Sequence, residues 1–281
     1  MKHLKILSLF LAGLIIFRFS CSDLAKAPDK QPGDHIVVYG DSRSNSAAHT
    51  RVVKAIEEIR PKTVFHTGDL VADGSNAVQW EIFNAITADL RFFAAFYPAL
   101  GNHENNSPLY FNNFKLPNNE RWYSIAIDQI LFIILDSNSD CSEESEQYLW
   151  LKNELEQVGD TIAFVITVFH HPPYSTGPHI EDEMGLRETF VPLFEQYGVD
   201  AVFTGHDHIY ERTVHNGIYY IVTGGGGAPL YDQARYSPES LIFIKAYHFC
   251  RLSGDKDRLV IDIFTPDLET LDHFTVNRKL R

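Results

Sequence analysis

Five times along this chain an apolar run stops abruptly at a polar cluster of Asp, Asn or His. Ile36 to Tyr39 ends at Gly40-Asp41, and Thr63 to His66 ends at Gly68-Asp69. Phe96 to Leu100 ends at Gly101-Asn102-His103-Glu104, Ile162 to Phe169 at His170-His171, and Val199 to Thr204 at Gly205-His206-Asp207-His208. Between them lie stretches of helical character: Val52, Val53, Ile56 and Ile59 before Pro61, then Trp80 to Leu90, Glu143 to Gln157 and Leu186 to Gln196. Short continuous apolar runs alternating with helices predict βαβ units with interior strands. Functional groups of α/β sheets collect at the carboxyl ends of strands, where loops vary over a rigid scaffold.

Further strand candidates are Trp122 to Ile127 and Ile130 to Leu135, and beyond Thr204 the helices stop, leaving Ile218 to Thr223, Leu241 to Arg251, Leu259 to Phe264 and Leu271 to Val276. This order predicts an α/β fold of four layers, an αββα sandwich of two mixed sheets packed face to face with helices outside. A chain of 281 residues is long enough to bury the core of one such domain.

Asp41, Asp69, Asn102, His103, His170, His206 and His208 offer hard oxygen and borderline nitrogen donors without a thiolate, a mixture that suits Zn, Mn or Fe. Two ions about 3.5–4 Å apart need a bridging carboxylate and open positions for water and substrate. Taken singly, Asp41 or Asp69 would read as a helix cap after a strand; the recurrence of the whole set favours a metal centre. The net charge of −13 opposes attachment to a nucleic-acid backbone. It leaves room for a local anion site, because bound cations reverse the field around themselves.

The same clusters, in this order, resemble the five motifs of calcineurin-like metallophosphoesterases from about Ile36 to Val276. Gly205 to Arg212 and the Gly-rich stretch after Ile221 look most like the purple acid phosphatase branch. The resemblance implies two divalent or mixed-valence ions, one on Asp41, Asp69 and His208 and the other on Asp69, Asn102, His170 and His206, with Asp69 as bridge. It implies hydrolysis of a small phosphorylated substrate, monoester or diester, by a metal-bound hydroxide. Asp69 and His103 are then the catalytic residues, His103 as proton donor to the leaving group or as a transition-state contact. The other reading is an exported, non-catalytic protein that keeps the fold and binds phosphorylated ligands.

Two positions depart from the family pattern: Asp41-Ser42-Arg43 where many members have Asp-x-His, and Ala72 where purple acid phosphatases place Tyr. The first ion is expected to gain Asn45, or water, in place of the missing ligand. Arg43 is either a bidentate phosphate contact or a solvated loop charge. His171 either touches substrate or stands behind the ligands, His66 is expected to be packed, and His179 lies in a loop that could overhang the site. The run Gly224 to Gly227 lacks a Walker signature and is expected to let backbone pass close to the centre.

At the N-terminus, Lys2 and Lys5 precede an apolar stretch from Ile6 to Phe17 that is short for a membrane span and has the shape of an export signal. The expected organisation is residues 1–20 as signal, 21–34 as flexible tether and 35–281 as the metallophosphoesterase domain. Cys21, behind Ser20, stands where a bacterial lipoprotein carries its lipid, although Arg18 occupies a position that such signals give to Leu. Lipid anchoring, simple cleavage and a retained anchor are all open, as is pairing of Cys141 with Cys250.

Overall fold

The structure, a computed structural model, describes residues 33–279, so the expected signal and Cys21 lie outside the described residues. The first sheet begins with β1 (Ile36–Tyr39), α1 (Ser46–Ile59), β2 (Thr63–His66), α2 (Ala77–Phe93) and β3 (Ala95–Pro98). These three strands are parallel neighbours. Helix α1 stops where Arg60 turns left-handed ahead of Pro61, which disfavours helical backbone in the residue before it. A short helix, α3 (Pro108–Asn113), follows; Ser107 caps it and Pro108 occupies its first turn.

The second sheet is entered by β4 (Tyr123–Ile127) and β5 (Ile130–Ile134), an antiparallel pair. After α4 (Glu146–Glu156), β6 (Phe164–Val168), α5 (Phe190–Gln196) and β7 (Ala201–Thr204) extend it in parallel. Then come β8 (Tyr210–His215), β9 (Ile218–Thr223), β10 (Ser240–Ile244), β11 (Phe249–Gly254), β12 (Arg258–Phe264) and β13 (Thr270–Asn277). One sheet has six strands in the order β13-β12-β11-β1-β2-β3, and the other has seven in the order β10-β8-β9-β7-β6-β5-β4.

Alternation along β1 explains the layering. Ile36 and Val38 point into the core between the sheets, with Phe65, Phe132, Ile166, Val168 and Phe203. Val37 and Tyr39 point outward under Val52, Val53 and Ile56 of α1. On the far side, Leu151 and Leu155 of α4 and Phe190 and Phe194 of α5 cover Ile133, Val165 and Val202. The inner strands are apolar on both faces and so read as unbroken hydrophobic runs. Phe65 and Phe132 stack across the two sheets with ring centroids 4.1 Å apart.

Three elements differ from the sequence-based expectation. The stretch from Leu241 to Arg251 is two strands in different sheets, β10 beside β8 and β11 beside β1. His248, at the crossing, is buried; its backbone N–H donates to the Gly225 carbonyl at 3.1 Å and its ring lies 3.1 Å from the Thr223 hydroxyl. Strand β8 had no apolar signature, because Glu211 and Arg212 occupy its middle, and Glu211 is buried by hydrogen bonds from Thr176 and Ser240. The six-residue α3 was too short to show periodicity. Cys141 and Cys250 are both buried and both free.

Two buried histidines away from the ligand cluster make the fold acid-sensitive. Burial holds His49 down to about 3 and His248 to about 4, against an ordinary value of 6.5. Their stabilising contribution is complete above pH 6.5 and is lost as pH falls toward 4 and then 3, because the unfolded chain takes up protons that the folded chain refuses. Each contributes a slope of up to about 1.4 kcal/mol per pH unit in that window. Urea midpoints measured in chelator should fall steadily below pH 6.5, and His49→Gln should flatten the fall; equal slopes in the two proteins would contradict the assignment.

Candidate metal centre

The carboxyl ends of β1, β2, β3, β6 and β7 converge on one edge of the sandwich. They bring together Asp41, Asp69, Asn102, His103, His170, His206 and His208. Three of these residues have left-handed backbone: Asp41 at φ 56°, Asp69 at 58° and His206 at 68°. Such a conformation costs a non-glycine residue about 1–3 kcal/mol and persists where the surroundings impose it. Here they do: a Cβ on Gly205 would lie 2.3 Å from the Asp41 carboxylate, and one on Gly101 would lie 2.2 Å from the Asp69 backbone nitrogen. The glycines beside the cluster let the carboxylates lie against main chain. The Gly224 to Gly227 run does the same, as Gly226 N–H donates to the Gly40 carbonyl at 2.7 Å and Ala228 N–H to the Asp41 carbonyl at 2.8 Å.

Proton positions on the imidazoles follow from their outer partners. His170 Nδ1 faces the Thr67 carbonyl at 3.0 Å, His206 Nε2 faces Glu183 at 3.2 Å, and His208 Nδ1 faces the Pro229 carbonyl at 2.7 Å. Each outer nitrogen therefore carries the proton, and each inner nitrogen presents a lone pair. This arrangement, with an outer hydrogen bond fixing the tautomer, is typical of metal-ligating histidine. Burial keeps the rings neutral: His206 is lowered to about 3, His208 to about 4, and His170 well below its ordinary value.

Two half-sites share Asp69. In one, His170 Nε2 lies 2.8 Å from Asn102 Oδ1, 3.2 Å from His206 Nδ1 and 3.4 Å from Asp69 Oδ1. Acceptors face acceptors there, and a cation among them would satisfy all four; the donor set fits a divalent ion. In the other, His208 Nε2 lies 3.6 Å from Asp41 Oδ1, and Asp41, Asp69 and His208 can each bring a ligand atom within 4.8 Å of the others. The Arg43 guanidinium already reaches into that half-site, with Nε 3.0 Å from Asp69 Oδ2 and one terminal nitrogen 3.2 Å from His208 Nε2. A donor occupies the place of the ion, so this half-site does not fit a metal as it stands.

The remaining sequence candidates fall around this core. His103 donates its backbone N–H to Asp69 at 3.0 Å, its Nδ1 meets the Ala72 carbonyl at 2.7 Å, and its Nε2 stands 3.8 Å from Asp69 Oδ2. His171 is buried on Ser137 at 2.9 Å with its ring centroid 4.5 Å from that of His206. His179 covers His206 at 3.9 Å between ring centroids and is held by Asp207. His66 is packed, as expected, between Ser42 and the Gly68 N–H.

Asn45 is not brought to the cluster: its carbonyl oxygen caps α1 at Ala48 N–H and its amide nitrogen donates to the Tyr247 hydroxyl. Expecting it as a ligand overlooked that Asn immediately before a helix has a prior claim as its cap.

Glu104 was missed as a structural anchor. Fully buried, its carboxylate accepts the backbone N–H groups of Asp69, Leu70, Val71 and Gly101 at 2.7–3.2 Å. Burial, with the Asp69 charge beside it, pushes it up to about 8 against the pull of those donors. Glu183, the outer partner of His206, was also missed; nothing local in an exposed acidic loop marks it.

The family model for calcineurin-like phosphoesterase matches residues 34–210. The chain belongs to the calcineurin-like phosphoesterase family. Among similar proteins are two from Arabidopsis thaliana: purple acid phosphatase 18, 32% identical over 64% of this chain and 47% of the relative, and a protein named probable inactive purple acid phosphatase 24, 28% identical over 86% and 47%. The fold matches that of a purple acid phosphatase from yellow lupin seeds with a TM-score of 0.79, at 24% identity over 89% of this chain and 55% of that one. The chain spans about half the length of the curated relatives it matches.

Glu104→Ala would leave four backbone donors without their acceptor. At about 1–3 kcal/mol for a buried unsatisfied group, with partial rescue by water, the expected loss is about 3 kcal/mol or more. A drop in the urea midpoint accompanied by weaker metal binding is the outcome to look for; an unchanged midpoint would rule out the anchoring role.

Proposed function

We propose that this chain hydrolyses phosphate esters of small molecules, using a divalent cation, Mn, Zn or Fe, held by Asp69, Asn102, His170 and His206. The reading is carried by the convergence of unprotonated imidazole nitrogens on a buried carboxylate and an amide oxygen. A bound cation would supply an activated water at neutral pH and would neutralise charge on the phosphoryl oxygens. The protein's own residues do the rest. Asp69 directs one oxygen to each half-site, and Glu104 fixes the backbone that aims it. Arg43 places positive charge inside the cluster, beside Asp69 and His208, where it is suited to pairing with an anionic substrate.

His103 is suited to protonating the departing alcohol. Its Nδ1 is tied to the Ala72 carbonyl, its Nε2 faces outward beside Asp69, and its side chain is 30% exposed. As water attacks phosphorus and the ester P–O bond breaks, an Nε2 proton can pass to the leaving oxygen. His179 and His171 pack against the His206 ring beside the centre.

Release of nitrophenol from mono- and bis-nitrophenyl phosphate should depend on added Mn or Zn and stop in chelator. Binding of phosphate without turnover under those conditions would favour the non-catalytic reading. His103→Ala should spare metal binding and slow alkyl phosphates about 10²–10⁴-fold, the usual worth of a general acid, while nitrophenyl esters lose far less. Equal losses on both substrates would show that His103 stabilises charge instead.

For the N-terminus we propose an exported chain held at a membrane by lipid on Cys21, with 21–34 as tether and 35–281 as the catalytic domain. Among the described residues no helix is long and apolar enough to cross a membrane. Stable lipid attachment takes two or more acyl chains, which a diacylglyceryl cysteine with an N-acyl group provides. Cys21→Ser should move the protein from the membrane fraction to the soluble exported fraction at unchanged specific activity; an unaltered distribution would reject lipidation there.

A further inference from the structure

The two half-sites differ in one chemical respect. Around His170, His206, Asn102 and Asp69 Oδ1 the converging atoms are acceptors. Around Asp41, Asp69 Oδ2 and His208 a donor is already present, the guanidinium of Arg43. Its Nε donates to Asp69 at 3.0 Å, one terminal nitrogen donates to the lone pair of His208 Nε2 at 3.2 Å, and the other reaches Ser44 at 3.3 Å. Tyr231, stacked on His208 with ring centroids 4.2 Å apart, packs beside the same half-site. The side chain is only 15% exposed, so this is a lodged group and not a charge trailing into solvent.

Arg43 stands two residues after Asp41, in the loop that starts the cluster, and that position gives its side chain the same reach as a ligand from this turn would have. A guanidinium presents five N–H donors in a fixed fork and no acceptor, so it can pair with these carboxylate and imidazole acceptors but cannot itself ligate an ion. Its single charge, spread over a planar fork 3.0 Å from Asp69, offsets the repulsion between that carboxylate and Asp41. A divalent ion in the same place would sit against that fixed charge within hydrogen-bond distance, an unfavourable contact in a buried site.

We propose that Arg43 replaces one of the two metal ions: the centre takes a single divalent cation, at Asp69, Asn102, His170 and His206, and the guanidinium is the second positive charge. The occupancy stands on geometry alone; the guanidinium's place beside the phosphoryl group rests on the hydrolytic reading above. The substrate class is unchanged, but the neutralising charge on one side is a hydrogen-bonding fork that can also hold a phosphoryl oxygen in a fixed direction.

The test is metal stoichiometry, read without substrate. Apo protein is titrated with Zn and, separately, with Mn by calorimetry, then desalted for elemental analysis. Wild type should bind one equivalent tightly, whereas Arg43→His and Arg43→Ala should each bind a second, with circular dichroism confirming the fold and the extra ion raising Tm further. Two tight equivalents in wild type would overturn the proposal, and so would a folded Arg43→Ala protein that still takes one. A catalytically silent protein whose count goes from one to two would uphold the replacement while refuting the hydrolytic function; an active wild type carrying two ions would do the reverse.

Discussion

Everything at this centre depends on the cost of burying carboxylates side by side. Asp41, Asp69 and Glu104 are each almost wholly removed from solvent; beyond burial itself, the Asp69 charge raises the ionisation cost of both Asp41 and Glu104. Buried carboxylates are tolerated when hydrogen-bonded and paired with positive charge. The hydrogen bonds come from main chain: His206 N–H to Asp41, His103 N–H to Asp69, and four N–H groups to Glu104. The loops after β1, β2, β3 and β7 are thus folded around acidic side chains rather than merely carrying them. The left-handed residues and the glycines that cannot accept a Cβ are the backbone consequence of that demand.

The layered fold was legible because its inner strands are buried on both faces, so β1, β2, β6 and β7 appear as unbroken apolar runs. Where burial is achieved by polar pairing the signal fails. Strand β8 has Glu211 and Arg212 in its middle, one satisfied by Thr176 and Ser240 and the other by Asp272. The turn at His248 that divides β10 from β11 is made by hydrogen bonds to Gly225 and Thr223, remote in sequence and without a Gly or Pro of its own. The residues of the centre could be named from their order, since each sits at the end of a strand. Their orientation could not be, and orientation separates Asn45, turned to cap a helix, from Arg43, turned into the cluster. Glu104 was visible beside His103, yet three of its four backbone donors lie 33–35 residues earlier, a partnership without a local pattern.

Charge has to be considered at two ranges. The chain as a whole carries −13, a field that repels phosphorylated molecules at a distance. Ionic screening confines that repulsion to about 8–10 Å at physiological salt, so the last approach is governed by the local charges. At the centre these are carboxylates already engaged by backbone donors, neutral imidazoles, and the Arg43 fork. The imidazoles contribute lone pairs and no charge, because burial has lowered their proton affinity below that of free histidine.

Substituting arginine where a relative would carry a ligating histidine changes more than a ligand count. A histidine at that turn would add a lone pair to a half-site already rich in acceptors and would strengthen its demand for an ion. Arginine adds donors and a charge, and satisfies Asp69 and His208 without any ion. The rest of the half-site is nevertheless preserved: Asp41 is still buried, His208 is still oriented by the Pro229 carbonyl, and Gly205 still gives way to the Asp41 carboxylate. A metal ligand set that had merely lost its ion would leave two carboxylates facing one another in a dry site, which folding energy does not support. Retention of that geometry with a fixed cation in it is what a change of charge carrier, and not a loss of the site, would produce.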